Sequence, residues 1–357
     1  MNHERVTETG REPEQAASVG NGRTGSPPSD WHKVIRIGIG MAMFIGVLLT
    51  AFAWPSSEVT PRDVPIAVVG GQEAAVQVQG QLDAAMPDGF EVEPAADLDA
   101  ARELIEDRDV YGAIAISPDG PPQVLTASAA SPVVAQVIQG IADRMTQEMT
   151  GAPAVQVEDV VGHPDDDARG SGFSSAALPM VIGGMAVGYS MSLIIVGVWR
   201  RVTGALVGAT AGGLVGALVV QPWLGVLDGN YLANAGVLAL AIAAISLTII
   251  GLGSLLGPAG LGIGALVMLL LGNPLSGVTT APEMLPTGWG TLGQLLPPGA
   301  GGSLLRSSAF FDGAAAGGPI LVLTAWVVLG VVLAALGWAK RERVTVASTS
   351  QAVPAGS

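Results

Sequence analysis

Apolar positions along the chain fall into two kinds of pattern. Long uncharged runs occupy residues 34–54, 176–198, 202–220, 232–252, 254–272 and 318–339, the first of them uncharged after Arg36. Between the first and second runs, short alternating and amphipathic segments take over. A helix rises ~1.5 Å per residue, so ~20 residues match a hydrocarbon core ~30 Å thick. In lipid every backbone polar group must be bonded internally, so each run is expected to be a helix. Pro258 falls at the first turn of the fifth run, where a missing N–H is tolerated. The first run exceeds the ~7–15 apolar residues of a secretory signal. It ends in Trp54-Pro55, not in a small-residue cleavage site, and reads as an uncleaved anchor.

Residues 55–175 read differently. PIAVVG (65–70) predicts a buried strand ended by a glycine turn, and residues 72–86 a helix. GFEVEP (89–94) alternates as a strand does. Asp97 is placed to cap a helix running to 107, with Leu98, Ala101, Leu104 and Ile105 on one face. YGAIAIS (111–117) and 123–127 read as further strands, and 132–149 as an amphipathic helix. Alternating strands and helices predict a small α/β domain, inserted between the first and second membrane helices. Residues 1–33 are a polar tail, expected to be disordered, and 340–357 form a second tail. The fold class is thus an α-helical membrane protein of six transmembrane helices with a small extracytoplasmic α/β domain. Residues 34–54 are its first helix, and 176–339 hold a five-helix bundle.

Composition supports lipid as part of the solvent: 49% of residues are hydrophobic and 13% charged. The net charge of −14 is concentrated, with 21 Asp or Glu between Glu58 and Asp167. Such a stretch disfavours nucleic acid, whose phosphates need a basic face. Basic residues mark one side of the membrane instead. Lys33 and Arg36, then Arg200 and Arg201, then Lys340, Arg341 and Arg343 all fall inside in one arrangement. It places both termini in the cytoplasm and residues 55–175, 221–231 and 273–317 outside a plasma membrane. Trp54, Trp223, Trp289 and Trp338 lie near run ends, as interfacial aromatics do, and Trp326 lies deeper. Fourteen Arg against two Lys, with abundant Ala and Gly, fit a high-GC bacterial genome.

Little in the chain carries chemistry. Absent cysteine excludes disulfides and thiolate sites. His163 with Asp165-Asp166-Asp167 reads as a solvated linker before it reads as a metal site. Gly70-Gly71 lacks the rest of a phosphate-binding loop. No catalytic set, cofactor or metal is expected, so the chain is not read as an enzyme. The spans carry none of the ionisable residues on which ion-driven pumps rely. Glycines at 204, 208, 212 and 216 share one helix face, and Gly184 and Gly188 share another. Such faces let helices approach closely within the bundle, or form a homodimer seam. The segment 273–317 is too broken by proline to span and too apolar for an ordinary loop. Asn273, Pro274, Pro282, Glu283, Pro286, Pro297 and Pro298 punctuate it, and short re-entrant or interfacial helices are expected. Arg306 is expected to snorkel or to pair with Glu283 or Asp312, a contact to a lipid or substrate anion being the alternative.

The order of parts resembles the type-2 ABC exporter permeases, including YhgE/Pip-like bacterial membrane proteins. PIAVVGGQ (65–72), VYGAIAIS (110–117) and NPLSG…PEMLP…LLPPGAGGSLLR (273–306) carry the likeness, over roughly residues 34–340. The resemblance implies a permease-like subunit for export of a lipid-like or cell-envelope substrate, with energy from a separate ATPase. The inner loops are too short to offer such a partner the usual coupling helix. The alternative is a non-transporting envelope anchor whose external domain binds a partner.

Overall fold

The computed structural model describes residues 30–116, 121–148 and 154–351, with side chains for all of these except 148 and 344–351. Most of the tail read as disordered, the last residue of the expected strand 111–117 and that of the expected helix 132–149 lie outside the described residues.

Two compact units divide the chain after Gly46. In the first, residues 30–46 open helix α1 (Trp31–Ser57). Asp30 caps it, its carbonyl accepting from the backbone N–H of Lys33 at 2.9 Å and its side chain from that of His32 at 3.2 Å.

The second unit contains an α/β layer and a helical bundle. The layer runs β1 (Val64–Val69), α2 (Gly71–Ala85), β2 (Phe90–Ala95), α3 (Leu98–Glu106), β3 (Gly112–Ala115), β4 (Gln123–Thr126), α4 (Pro132–Glu148) and β5 (Gln156–Asp159). The strands form one sheet in the order β2-β1-β3-β4-β5. β1 is parallel to β2 and β3, β3 antiparallel to β4, and β4 parallel to β5. Successive side chains of β1 point to opposite faces. Val64, Ile66 and Val68 meet α2 and α4, whereas Ala67 meets α3. Asp97 accepts from the Ala100 N–H at 2.8 Å, the cap that its position predicts. β5 has no counterpart in the sequence reading, because all four of its residues (QVED) are exposed and no apolar alternation marks it.

The bundle contains α5 (Ser171–Ile194), α6 (Val198–Leu218), α7 (Tyr231–Leu256), α8 (Pro258–Ala265), α9 (Trp289–Gln294), α10 (Pro297–Phe310) and α11 (Gly317–Gln351). Among the described residues, five helices are long and apolar enough to cross a membrane: α1, α5, α6 with a π-helical extension to Trp223, α7, and α11 over Gly317–Arg343. The fifth of the six expected spans, 254–272, is not among them. Its first residues complete α7, and Gly257, at φ 67°, breaks the helix. The apolar remainder, Pro258–Gly272, has 15 residues. At ~1.5 Å per residue these rise about 22 Å, short of a ~30 Å core.

α7 is the axis of the bundle, with α5, α6, α8, α10 and α11 packed around it. Small residues make this possible. A Cβ on Gly184 would lie 3.0 Å from Ile245 Cβ, and one on Gly188 3.0 Å from the Ser246 carbonyl. On α11, a Cβ on Gly330 would lie 2.5 Å from the Leu247 backbone and one on Gly337 2.5 Å from that of Ser254. One end of the bundle collects basic and aromatic groups. Arg201 donates to the Ile195 carbonyl at 2.7 Å, Arg341 to that of Ser254 at 3.3 Å, and Trp199 meets Trp338 edge-on at 6.4 Å. The α6–α7 loop, α10 and the α/β layer lie at the other end.

Candidate functional site

The segment between α8 and α11 folds into short helices and joins the sheet to the bundle. Its prolines sit where an N–H is dispensable. Pro282 opens a 3-10 turn (Pro282–Met284), and Pro297-Pro298 open α10. A Cβ on Gly272 would lie 2.7 Å from Pro298, so the chain turns tightly there. Asn273 and Pro274 are half-buried at that turn, and the Asn273 carbonyl accepts from the Ser276 hydroxyl at 2.7 Å. Pro286, half-buried, accepts from the Trp289 N–H at 2.9 Å. Trp289 meets Trp54 edge-on at 5.6 Å, and Trp326 donates to the Leu295 carbonyl at 2.8 Å.

This segment contributes to both cores of the α/β layer. Ala281 and Met284 are buried with Val64, Ile66 and Ile114 on one face, and Phe311 with Ala67 and Ile105 on the other. Polar contacts follow the same seam. The Glu283 carbonyl accepts from the Arg62 N–H at 3.1 Å, and that of Met284 from Thr60 at 3.3 Å. Tyr111 donates to Glu283 Oε2 at 2.7 Å. Arg108 donates to the Ser303 carbonyl at 3.1 Å and the Ser307 hydroxyl at 2.5 Å, and stacks 5.3 Å from the Phe311 ring centroid.

Arg306 does not form the ion pair expected of it. Arg102, by contrast, pairs with Asp99 at 3.2 Å and with Glu158 at 2.9 Å. α10 carries Arg306 inward, leaving it 3% exposed. There it donates to the Val278 carbonyl at 3.0 Å and stacks 4.9 Å from the Phe173 centroid, and its Nε has no partner among the described residues. Burial, with Arg108 nearby, lowers its pKa to about 10. Burial also lowers that of Arg108, and burial with the Glu283 charge raises that of Tyr111. The two buried guanidiniums and the Glu283 carboxylate are thus near enough to feel one another's charge, without an ion pair between them.

The acidic run is not a free linker. Asp167 is buried and caps α5, its oxygens accepting from the N–H groups of Gly172 at 2.9 Å and Phe173 at 3.0 Å. Aromatic rings cover His163 beside it, with Phe310 at 5.2 Å and Phe173 at 6.5 Å.

On α6, the buried row against α7 is Ala205, Ala209, Gly213 and Ala217. A Cβ on Gly213 would collide with the Ala235 carbonyl. The expected glycine row is its neighbour. Gly204 faces Met191, and Gly208, Gly212 and Gly216 line a cavity of about 580 Å³ between α5 and α6, floored by Leu238 and Ile242 of α7.

Several residues of this junction escaped the sequence reading: Arg108, Tyr111, Phe173, Met284 and Asn234. Asn234 is the one amide side chain in the run 232–252, which is a usable signal. It donates to Gln221 at 3.0 Å and to the Asp228 carbonyl at 2.8 Å, and accepts from Ser308 at 2.8 Å. Comparison with family models, curated proteins and solved structures returns no match.

Proposed function

We propose that this chain is a permease-like membrane subunit that exports a lipid-like or cell-envelope substrate, with energy from a separate ATPase. One observation carries the reading: the proline-broken segment is core to the α/β layer and cap to the bundle at once, through Met284 and Phe311 on one side and Arg306 on the other. A ligand or a movement felt by the layer is thereby transmitted to the ends of the membrane-length helices. In this reading the end carrying Arg201 and Arg341 faces the cytoplasm. Pro258–Gly272 is a short crossing, the fifth of six, that returns the chain to the outer side, so that both termini stay inside. The resemblance to type-2 ABC exporter permeases and the uncharged interiors of the runs support a partner-driven mechanism over an ion-driven one.

The test is purification with an ATPase encoded beside this chain. Association and substrate-stimulated ATP hydrolysis are expected; failure to associate with any ATPase contradicts the proposal. A second reading, an envelope anchor whose outer layer captures a partner, is favoured by the tight turns at the basic end, such as that at Gly257. Deleting residues 56–172 separates the two. An anchor loses all function with the layer, whereas a permease keeps its association with the ATPase.

A further inference from the structure

We infer that the cavity between α5 and α6 is a binding site for one hydrocarbon chain of an anionic amphiphile, with its acidic head at the Phe173–Val278 end. This deepens the export reading by naming where the substrate is held, and rests on it for the direction of passage.

The cavity has a volume of about 580 Å³, and Ser175 is the one hydroxyl-bearing residue among its described lining residues. Water gains too few partners in such a space to fill it. Its α5 wall runs from Gly172 to Val187. At ~1.5 Å per residue that wall is about 22 Å long, more than half of a ~30 Å hydrocarbon core. A chain from one leaflet therefore fits lengthwise. The exposed residues Ser175 and Pro179 lie on the rim, so the space opens sideways, where lipid lies if α5 and α6 cross a membrane.

The α6 wall is kept low by its glycines. A Cβ on Gly212 would lie 3.2 Å from Ile242 Cδ1 and one on Gly216 3.3 Å from Leu238 Cδ1, while one on Gly183 of α5 meets nothing within 4 Å. Larger side chains here would occupy the cavity itself.

Charge gives the occupant its orientation. Phe173 and Val278 line one end, and both are direct neighbours of buried Arg306. That guanidinium sits one aromatic ring behind the cavity wall with Nε unpartnered among the described residues, and Arg108 adds a second buried positive charge. Of the two carboxylates near this end, Glu283 accepts from Tyr111 and Asp167 is engaged by the Gly172 and Phe173 N–H groups, so the Arg306 Nε is a polar group left over. Surroundings of low dielectric strengthen the attraction of this end for an anion.

The test uses the full chain in phosphatidylcholine vesicles doped with phosphatidylglycerol that bears a photoreactive diazirine at the end of one acyl chain. Cross-linked peptides are mapped by mass spectrometry. Adducts are expected to concentrate on 172–187 and 208–219, above the level on the exposed α11 residues Leu321 and Val328. Gly212→Leu is expected to lower them about tenfold, the equivalent of losing one to two buried CH2 groups. In the wild-type chain, unlabelled phosphatidylglycerol should compete better than phosphatidylcholine, a readout independent of any variant's folding. Even labelling of α5, α6 and α11, or adducts unchanged by Gly212→Leu, overturns the site. Equal competition overturns the acidic head. The chain has no cysteine, so a single Pro179→Cys reports a second copy; efficient disulfide dimers would mean that another chain fills the cavity. Labelling without ATPase association would leave the site standing and remove the export reading, and the converse would remove the site alone.

Discussion

His163 is held in a state that its surroundings make costly to charge. Burial lowers its pKa, opposed by Asp167, Asp159 and the Ser128 backbone and reinforced by Arg306. As pH falls, the unfolded chain takes up this proton first, near the ordinary value of ~6.5. The folded state follows only at lower pH. The stability associated with neutral His163 is therefore complete above ~6.5 and declines as pH falls toward the folded pKa. His163→Phe keeps a ring against Phe310 and removes the titration. Its denaturation midpoint should vary less between about pH 7 and 5 than that of the wild type, and parallel profiles would refute this. Tyr111→Phe tests the seam. Losing its 2.7 Å bond to Glu283 should cost about 1–3 kcal/mol, read as a lower midpoint of chemical denaturation.

Among the elements, α6 shows what helical periodicity can and cannot resolve. Spacing by four picks out Gly204, Gly208, Gly212 and Gly216, yet the adjacent row of Ala205, Ala209, Gly213 and Ala217 is equally small. Two neighbouring rows of small residues present one broad smooth face, and the choice between them is made by α7. The difference is measurable. Gly213→Leu must force apart α6 and the α7 backbone, an overpacking cost of about 1–3 kcal/mol or more. Gly212→Leu meets the movable end of Ile242 and open cavity. Size-exclusion profiles in detergent should show loss of monodisperse protein for Gly213→Leu and near wild-type behaviour for Gly212→Leu; the reverse ranking would contradict this packing. Hydropathy likewise locates α5, α6, α7 and α11 and separates the runs 232–252 and 254–272, but it sets the boundary at residue 253, four residues before Gly257 ends the helix, because a glycine lowers the average little while ending a helix outright.

At the scale of the whole molecule, the helices and the first four strands of the α/β layer were legible from alternation and capping, because those signals are local, whereas exposed β5 was not. The junction was not. Tyr111 and Glu283 stand 172 positions apart, and Arg108 and Ser307 199 apart. Nothing in the neighbourhood of either member announces its partner. Met284 looked like part of a broken apolar loop, and its place in the sheet core follows from tertiary packing alone. That shared core is why the α/β layer and the bundle are read as one machine. The most direct measurement is transport itself. The chain and the ATPase proposed for it are reconstituted in vesicles with a fluorescent phosphatidylglycerol, and the fraction of dye reachable by an impermeant quencher in the opposite leaflet is followed. ATP-dependent growth of that fraction, absent with a hydrolysis-dead ATPase, is the predicted result. An exposed fraction that ATP leaves unchanged, with both proteins assembled and the ATPase turning over, would contradict the account.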